Sequence, residues 1–296
     1  MTGDRRAIAC GLVAVGLWST VATAFKLALE TMRPVELIWL AVLVSWALIG
    51  GLVIAQGHAR EALTHGWRTA LWAGLMNPVA YYLVLFAAYD RLPGQEAMAL
   101  NYTWALTMAL LAVPLLKQRL TLMDIVAGLV AYAGVWTIAT RGDVWQIAFA
   151  DGLGVALALV STLIWALYWL FNARDARAPL VAQWQNFSVG IPVLTAIVWF
   201  GPGFEWHGWL SLGAGIYVGL FEMGIAFVFW QLAVHQVSRT AKVANLIFLS
   251  PPISLFLLHW VVGEPILIST LVGLVLILAG LALQQFQKAP ASVAEK

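Results

Sequence analysis

Charge is what this sequence lacks most. Only 10% of its 296 residues are Asp, Glu, Lys or Arg, where a soluble domain carries roughly a quarter. So little charge cannot cover a water-exposed particle, which excludes a soluble globular protein and makes lipid the main solvent. The single cysteine, Cys10, excludes an internal disulfide and argues against a cysteine-based metal centre. The five histidines, at 58, 65, 207, 235 and 259, all fall near loops or segment ends. There is no HExxH, no pair of membrane carboxylates and no Ser/His constellation at one depth, so the chain does not read as an intramembrane enzyme. No metal or cofactor is expected. The last apolar segment has no lysine for a retinal Schiff base, and no basic patch suggests nucleic acid.

What is present is apolar length: 62% of the chain is hydrophobic, and a membrane span needs about 20 apolar residues. Ten windows of that kind are legible, at 7–28, 35–55, 68–89, 95–116, 121–140, 152–173, 181–200, 208–234, 239–260 and 266–286. Short connections with Gly, Pro or Asp separate several of them. The first run continues past the cleavage-like Ala22-Thr23-Ala24 to Leu29, so it reads as an uncleaved span. Lys and Arg of short loops stay cytoplasmic. With the N-terminus inside, twelve of the 16 Lys and Arg fall on the cytoplasmic side, leaving Lys26, Arg33, Arg91 and Arg141 outside. Both termini are therefore expected in the cytoplasm, and the number of spans is even.

The expected fold is an all-α polytopic membrane protein. It has ten transmembrane helices arranged as two inverted five-helix repeats, residues 1–145 and 146–296. An odd number of spans per half forces homologous halves to insert in opposite senses, and transporters so built hold substrate near midplane at the repeat interface. The echo of Ala97–Asn101 in Ala241–Asn245 supports the repeat. So do the helix breakers at comparable depths in the fourth and ninth segments, at Pro114 and at Ser250-Pro251-Pro252.

Trp67, Trp72, Trp145, Trp184, Trp199, Trp206, Trp209 and Trp260 lie near segment ends, where indoles gather at membrane interfaces. Trp18, Trp46, Trp104 and Trp165 lie near the middle of theirs, so each indole N–H needs a partner in packed protein or a wet cavity. Helical spacing groups the polar and aromatic residues into stripes. Segment six carries Ser161, Trp165, Tyr168 or Trp169, and Asn172; segment four carries Asn101, Trp104 and Met108 beside Tyr102. Segment three carries Asn77 and Tyr81, then Tyr82, around Pro78, and segment one carries Trp18, Ala22 and Phe25. Such stripes either glue helices together through amides or share one cavity, and their recurrence in several segments favours the cavity. Its expected wall is Trp18, Asn77, Tyr81, Tyr82, Asn101, Tyr102, Trp104, Trp165, Trp169 and Asn245.

Aromatic walls with neutral amides suit a planar side chain bearing ammonium and carboxylate groups. They suit phosphorylated sugars poorly, because no pair of mid-membrane cations is present. Glu222 sits near the centre of segment eight, where a carboxylate is costly; a structural hydrogen bond, proton coupling and substrate contact are the open roles. Lys242 either snorkels to the interface or meets a substrate carboxylate, and Lys26 shares that ambiguity. Pro251 and Pro252 form a static kink or a hinge. Lys242, Glu222, Pro251 and Pro252 are the gate or coupling candidates. Gly215 with Gly219, and Gly273 with Gly280, look like packing faces.

The layout, with Val262-Gly263-Glu264-Pro265 followed by Gly273 and Gly280, resembles the EamA branch of the drug/metabolite transporter superfamily. Gln118 stands where that family's first-half copy has Glu. Within the branch, the aromatic interior resembles the YddG-type aromatic amino acid exporters. The resemblance implies substrate among helices one, three, four, six, eight and nine, with the fifth and tenth outside. The expected function is an inner-membrane exporter of amino acids or related metabolites, with aromatic ones first, working by alternating access. Broad drug or organic-cation efflux is the alternative. The partners expected are a small-molecule substrate and membrane lipid, with no nucleic acid and no obligate protein partner.

Overall fold

A computed structural model describes residues 3–116, 122–143, 145, 151–172, 174–201, 203–236 and 245–285. The described residues are helical, with no strand among them. The first half holds α1 (Gly3–Leu29), α2 (Pro34–Ala55), the short α3 (Ala59–Thr64), α4 (Trp67–Gly74) and α5 (Tyr81–Arg91). It continues with α6 (Gly94–Asn101), α7 (Trp104–Leu116) and α8 (Leu122–Ala139). The second half holds α9 (Gly152–Asn172), α10 (Pro179–Phe200), α11 (Gly208–Tyr217), α12 (Ala226–Gln236), α13 (Ser250–Leu257) and α14 (Ile268–Gln285).

Among the described residues, six stretches are long and apolar enough to cross a membrane: Asp4–Leu29, Pro34–Ala55, Trp67–Arg91, Gly94–Leu115, Gly152–Asn172 and Gly208–Ala233. Ile125–Ala139, Ser250–Val262 and Ile268–Leu283 are apolar but shorter. The 22-residue α10 is about 33 Å long at 1.5 Å per residue. Gln183, Gln185 and Asn186 lower its apolar character, and they find partners inside the protein. Gln183 Nε2 donates to the Met223 carbonyl at 2.5 Å, and Gln185 Nε2 to the carbonyls of Ala62 and His65 at 2.7 and 2.6 Å.

Local chemistry sets the helix ends. Proline opens α2 and α10, where a missing N–H costs nothing. The Asp151 carboxylate accepts the Gly154 N–H at 2.7 Å at the start of α9. That amide bond, with the Arg91 guanidinium beside it, holds the Asp151 carboxyl below its ordinary value. In the loop after α9, burial works against the charge of Asp175. The Arg177 guanidinium and N–H outweigh it and keep that carboxyl low as well.

Two expected spans are broken in the middle. Between α4 and α5 the chain makes a π turn over Leu75–Ala80, in which Asn77 is extended (φ −143°, ψ 114°). Pro78 is the cause: it supplies no N–H and drives the preceding residue out of the helical region. Between α6 and α7 the chain turns at Tyr102 and Thr103, whose hydroxyl donates to the Leu100 carbonyl at 2.8 Å. The second half is interrupted at matching places, by a π segment at Val218–Ile225 and a 3₁₀ turn at Asn245–Leu249.

Helix pairing crosses between the halves. Helix α1 packs on α12 and α9 on α5, while α2 packs on α10 and α8 on α14. The α8–α14 crossing is the closest of these approaches. A Cβ on Gly273 would lie 2.6 Å from the Gly134 carbonyl oxygen, and one on Gly280 2.6 Å from that of Ala127. Gly215 and Gly219 likewise admit Leu40 and the Ala41 carbonyl of α2. Gly273→Val is therefore expected to force α8 and α14 apart and cost about 1–3 kcal/mol. Thermal unfolding of the detergent-solubilised protein checks this. Gly128→Ala, on the open side of α8 with nothing within 4 Å, should not lower the midpoint and should raise it slightly, because alanine is the better helix former.

Candidate functional site: a central aromatic cavity

A cavity of about 280 Å³ lies between the halves. Its wall draws on α1, α5, α6, α7 and α9, on the π segment at 218–225, on α12 and the 245–257 stretch, and on Leu281 of α14, so the last helix is not wholly outside the site as the family resemblance implied. Trp165 forms the floor of one side: its ring stacks on Tyr81 at 4.3 Å and 24°, and on Tyr168 at 5.6 Å, with Trp169 edge-on at 5.7 Å. Asn101 is fixed beside this stack. Its Nδ2 donates to Ser161 Oγ at 3.0 Å, and its Oδ1 lies 3.5 Å from the Tyr81 hydroxyl that donates to it. Amide and hydroxyl neighbours thus hold the rings in place.

The opposite side is built around Glu222. The Tyr82 hydroxyl donates to Glu222 Oε1 at 3.2 Å, and Trp18 Nε1 reaches the Glu222 backbone carbonyl at 3.4 Å. That carbonyl belongs to a π segment, where the altered register frees backbone acceptors. Trp18 also meets Phe227 at 5.7 Å and Trp230 at 5.3 Å. Two buried donors on the wall, Trp169 Nε1 and Ser254 Oγ, have no hydrogen-bond partner among the described residues.

Of the residues expected at the site, Trp18, Tyr81, Asn101, Tyr102, Trp104, Trp165 and Trp169 line the cavity, and Glu222 lines it too. Tyr82 stands behind Glu222, and Asn77 is buried at the bend before Tyr81. Of Asn245 only the backbone is described, opening the 3₁₀ turn. Lys242 lies outside the described residues. Pro251 and Pro252 sit in the first turn of α13, at the change from 3₁₀ to α geometry. Phe227 and Trp230 are wall residues that the sequence reading left out. Their signal was there, since Glu222, Ala226 and Trp230 continue one helical face at steps of four.

One end of the cavity is sealed. Phe25 and Tyr89 meet edge-on at 5.2 Å, and beyond them lies a polar layer that joins the halves. Glu264 Oε1 accepts the Gly94 N–H at 2.7 Å and its Oε2 the Gln95 N–H at 3.2 Å, so this carboxylate from the second half caps α6. Gln95 Nε2 donates back to the Glu264 carbonyl at 3.2 Å. Gly94 is required here, because a Cβ would come within 2.9 Å of Leu258 and Lys26 side-chain atoms. Lys26 Nζ donates to the Tyr89 and Leu92 carbonyls at 3.0 and 3.2 Å, which caps the end of α5 instead of reaching the cavity. Arg91 pairs with Asp151 at 3.0 Å and Arg141 with Glu96 at 3.1 Å in the same layer.

Comparison with known proteins points in one direction. The model of the EamA-like transporter family matches residues 5–140 and 152–284. The uncharacterized transporter YvbV of Bacillus subtilis is 22% identical over 272 residues, covering 90% of this chain and 87% of its own. A probable terminal-alkyne amino-acid exporter of Streptantibioticus cattleyicolor is 27% identical over 221 residues, 71% of this chain and 70% of its own. A solved crystal structure shares the fold with TM-score 0.67 at 24% identity, over 94% of this chain and 96% of its own.

Proposed function

The chain belongs to the EamA-like transporter family, and from that premise we propose that it exports amino acids, aromatic ones first, across a bacterial inner membrane. The observation that carries this reading is the Tyr81–Trp165 stack beside Asn101. A planar side chain gains most by stacking or edge contact with such faces. The unpartnered donors Trp169 Nε1 and Ser254 Oγ suit a carboxylate. The name of the Streptantibioticus relative, an amino-acid exporter, supports the same substrate class.

The mechanism is alternating access between two inverted five-helix repeats, 1–145 and 146–296, within ten transmembrane helices. Three observations support the repeat: the family match in two blocks, the pairing of α1 with α12 and of α9 with α5, and the matching interruptions in each half. Both termini are assigned to the cytoplasm because Lys26, Arg33, Arg91 and Arg141 gather at the sealed end. The far larger share of Lys and Arg is left for the other side. The sealed layer is then the outer gate. Glu222 is the coupling candidate, and Lys242, outside the described residues, stays a gate candidate on the sequence alone.

Broad organic-cation efflux is the second reading, favoured by the carboxylate of Glu222 in the wall. Uptake into liposomes of labelled phenylalanine, tryptophan, leucine, threonine and a quaternary ammonium dye separates the two. Phenylalanine and tryptophan should move fastest. Transport of the dye without any amino acid would overturn the proposal, and equal rates with and without a pH gradient would remove the coupling role from Glu222.

A further inference from the structure

Among the described residues that line the cavity, Glu222 alone carries an acidic or basic side chain. One of its carboxylate oxygens accepts the Tyr82 hydroxyl at 3.2 Å, and the other has no protein partner among the described residues. Trp18, Phe227 and Trp230 cluster on the wall of the same cavity, with Trp18 bonded to the Glu222 backbone carbonyl. A carboxylate bordered by aromatic faces is the arrangement that receives an ammonium group, by charge and by attraction to the rings.

Among the described residues, the rest of the wall offers a substrate carboxylate much less. Trp169 Nε1 and Ser254 Oγ are neutral donors. Lys26, the cation closest along α1, is turned away to the Tyr89 and Leu92 carbonyls. Hydrogen bonds to an ionised partner are about twice as strong as those between neutral groups. Here a substrate ammonium meets the one carboxyl group of the described wall, whereas a substrate carboxylate meets neutral N–H and O–H donors.

We propose that the site selects its substrate by the ammonium group and not by the carboxylate. Glu222 and the Trp18–Phe227–Trp230 cluster hold the ammonium, and the Tyr81–Trp165 stack holds the ring. The substrate class therefore extends from aromatic amino acids to aromatic monoamines that lack a carboxylate. This rests on the cavity being the amino-acid site of the proposed function.

Calorimetric titration of the purified protein with phenylalanine, phenethylamine and 3-phenylpropionate tests it. Phenethylamine should bind within about threefold of phenylalanine, and 3-phenylpropionate at least about tenfold more weakly. Glu222→Gln should weaken phenethylamine at least about tenfold and leave 3-phenylpropionate no weaker than before. Tyr82→Phe removes the hydroxyl but keeps the carboxylate, so amine binding should survive in it. This variant separates a lost charge from a disturbed fold. Stronger binding of 3-phenylpropionate than of phenethylamine to the wild type would overturn the inference while leaving amino-acid export intact. Binding of the amine with none of phenylalanine would instead overturn the amino-acid reading and leave ammonium selection standing.

Discussion

Glu264→Ala should unseal the outer end of the cavity. The change removes the acceptor of the Gly94 and Gln95 N–H groups and leaves two donors at the start of α6 without their partner. A buried group left unpaired costs about 1–3 kcal/mol, and every 1.4 kcal/mol is about tenfold in a conformational equilibrium. The loss falls on the sealed state alone, because the bond crosses between halves that must part for that end to open. In a Cys10→Ala background, Met98→Cys places a thiol on the cavity wall at this end. Adding Glu264→Ala should raise its rate of labelling by an impermeant reagent from outside by about tenfold or more. Glu264→Gln, which keeps one acceptor oxygen, should fall between. An unchanged rate would mean that the aromatic pair Phe25–Tyr89 closes this end without the carboxylate.

Trp165→Ala should abolish useful substrate affinity. The indole stacks on Tyr81 and Tyr168 and braces Trp169, so its loss removes one ring face and loosens two more. Burying an aromatic side chain is worth about 1.5–3 kcal/mol and the stack about 0.5–1.5 kcal/mol beyond that. The expected fall in phenylalanine affinity is therefore about 30-fold to 2,000-fold. Trp165→Phe keeps a face in place and should stay within about tenfold of the wild type. Trp46→Phe is the control. Its indole donates to Ser188 Oγ at 2.8 Å and stacks on Trp184 outside the cavity, so stability should drop and affinity should not.

That pair of tryptophans marks how far the sequence could be read. Trp18 and Trp46 sit in equally apolar, mid-segment surroundings, and only the neighbouring helix tells them apart. Ser188 of α10 meets one, and the cavity and the Glu222 carbonyl meet the other. Trp165, Asn101 and Ser161 were legible because helical spacing puts polar and aromatic groups on one face. Asn77 was grouped with Tyr81 on the same logic, and Pro78 undoes it by extending Asn77. Of the tryptophans expected at the interface, Trp72, Trp199, Trp209 and Trp260 are exposed on the outside of the protein. Trp184 differs because Gly50 lets its ring lie against α2.

Apolar length revealed the helices but not all their interruptions, since the turn at Tyr102–Thr103 leaves no Gly or Pro in the sequence and Gly219 of the π segment at Val218–Ile225 reads equally well as a packing residue. The role of Glu264 was also hidden. Its place in a Gly-Glu-Pro stretch pointed to a family resemblance, but not to an N-terminus 170 positions away that it would cap.

The central claim is that the transported amino acid occupies the cavity between the halves. Ile247 is half-buried in that wall, and Ile247→Cys in the Cys10→Ala background carries a thiol into it. With phenylalanine at about ten times its dissociation constant, modification of that thiol should slow about tenfold, with half-protection at the concentration that half-saturates transport. A thiol modified at the same rate with and without phenylalanine, in protein that still transports it, would contradict the account.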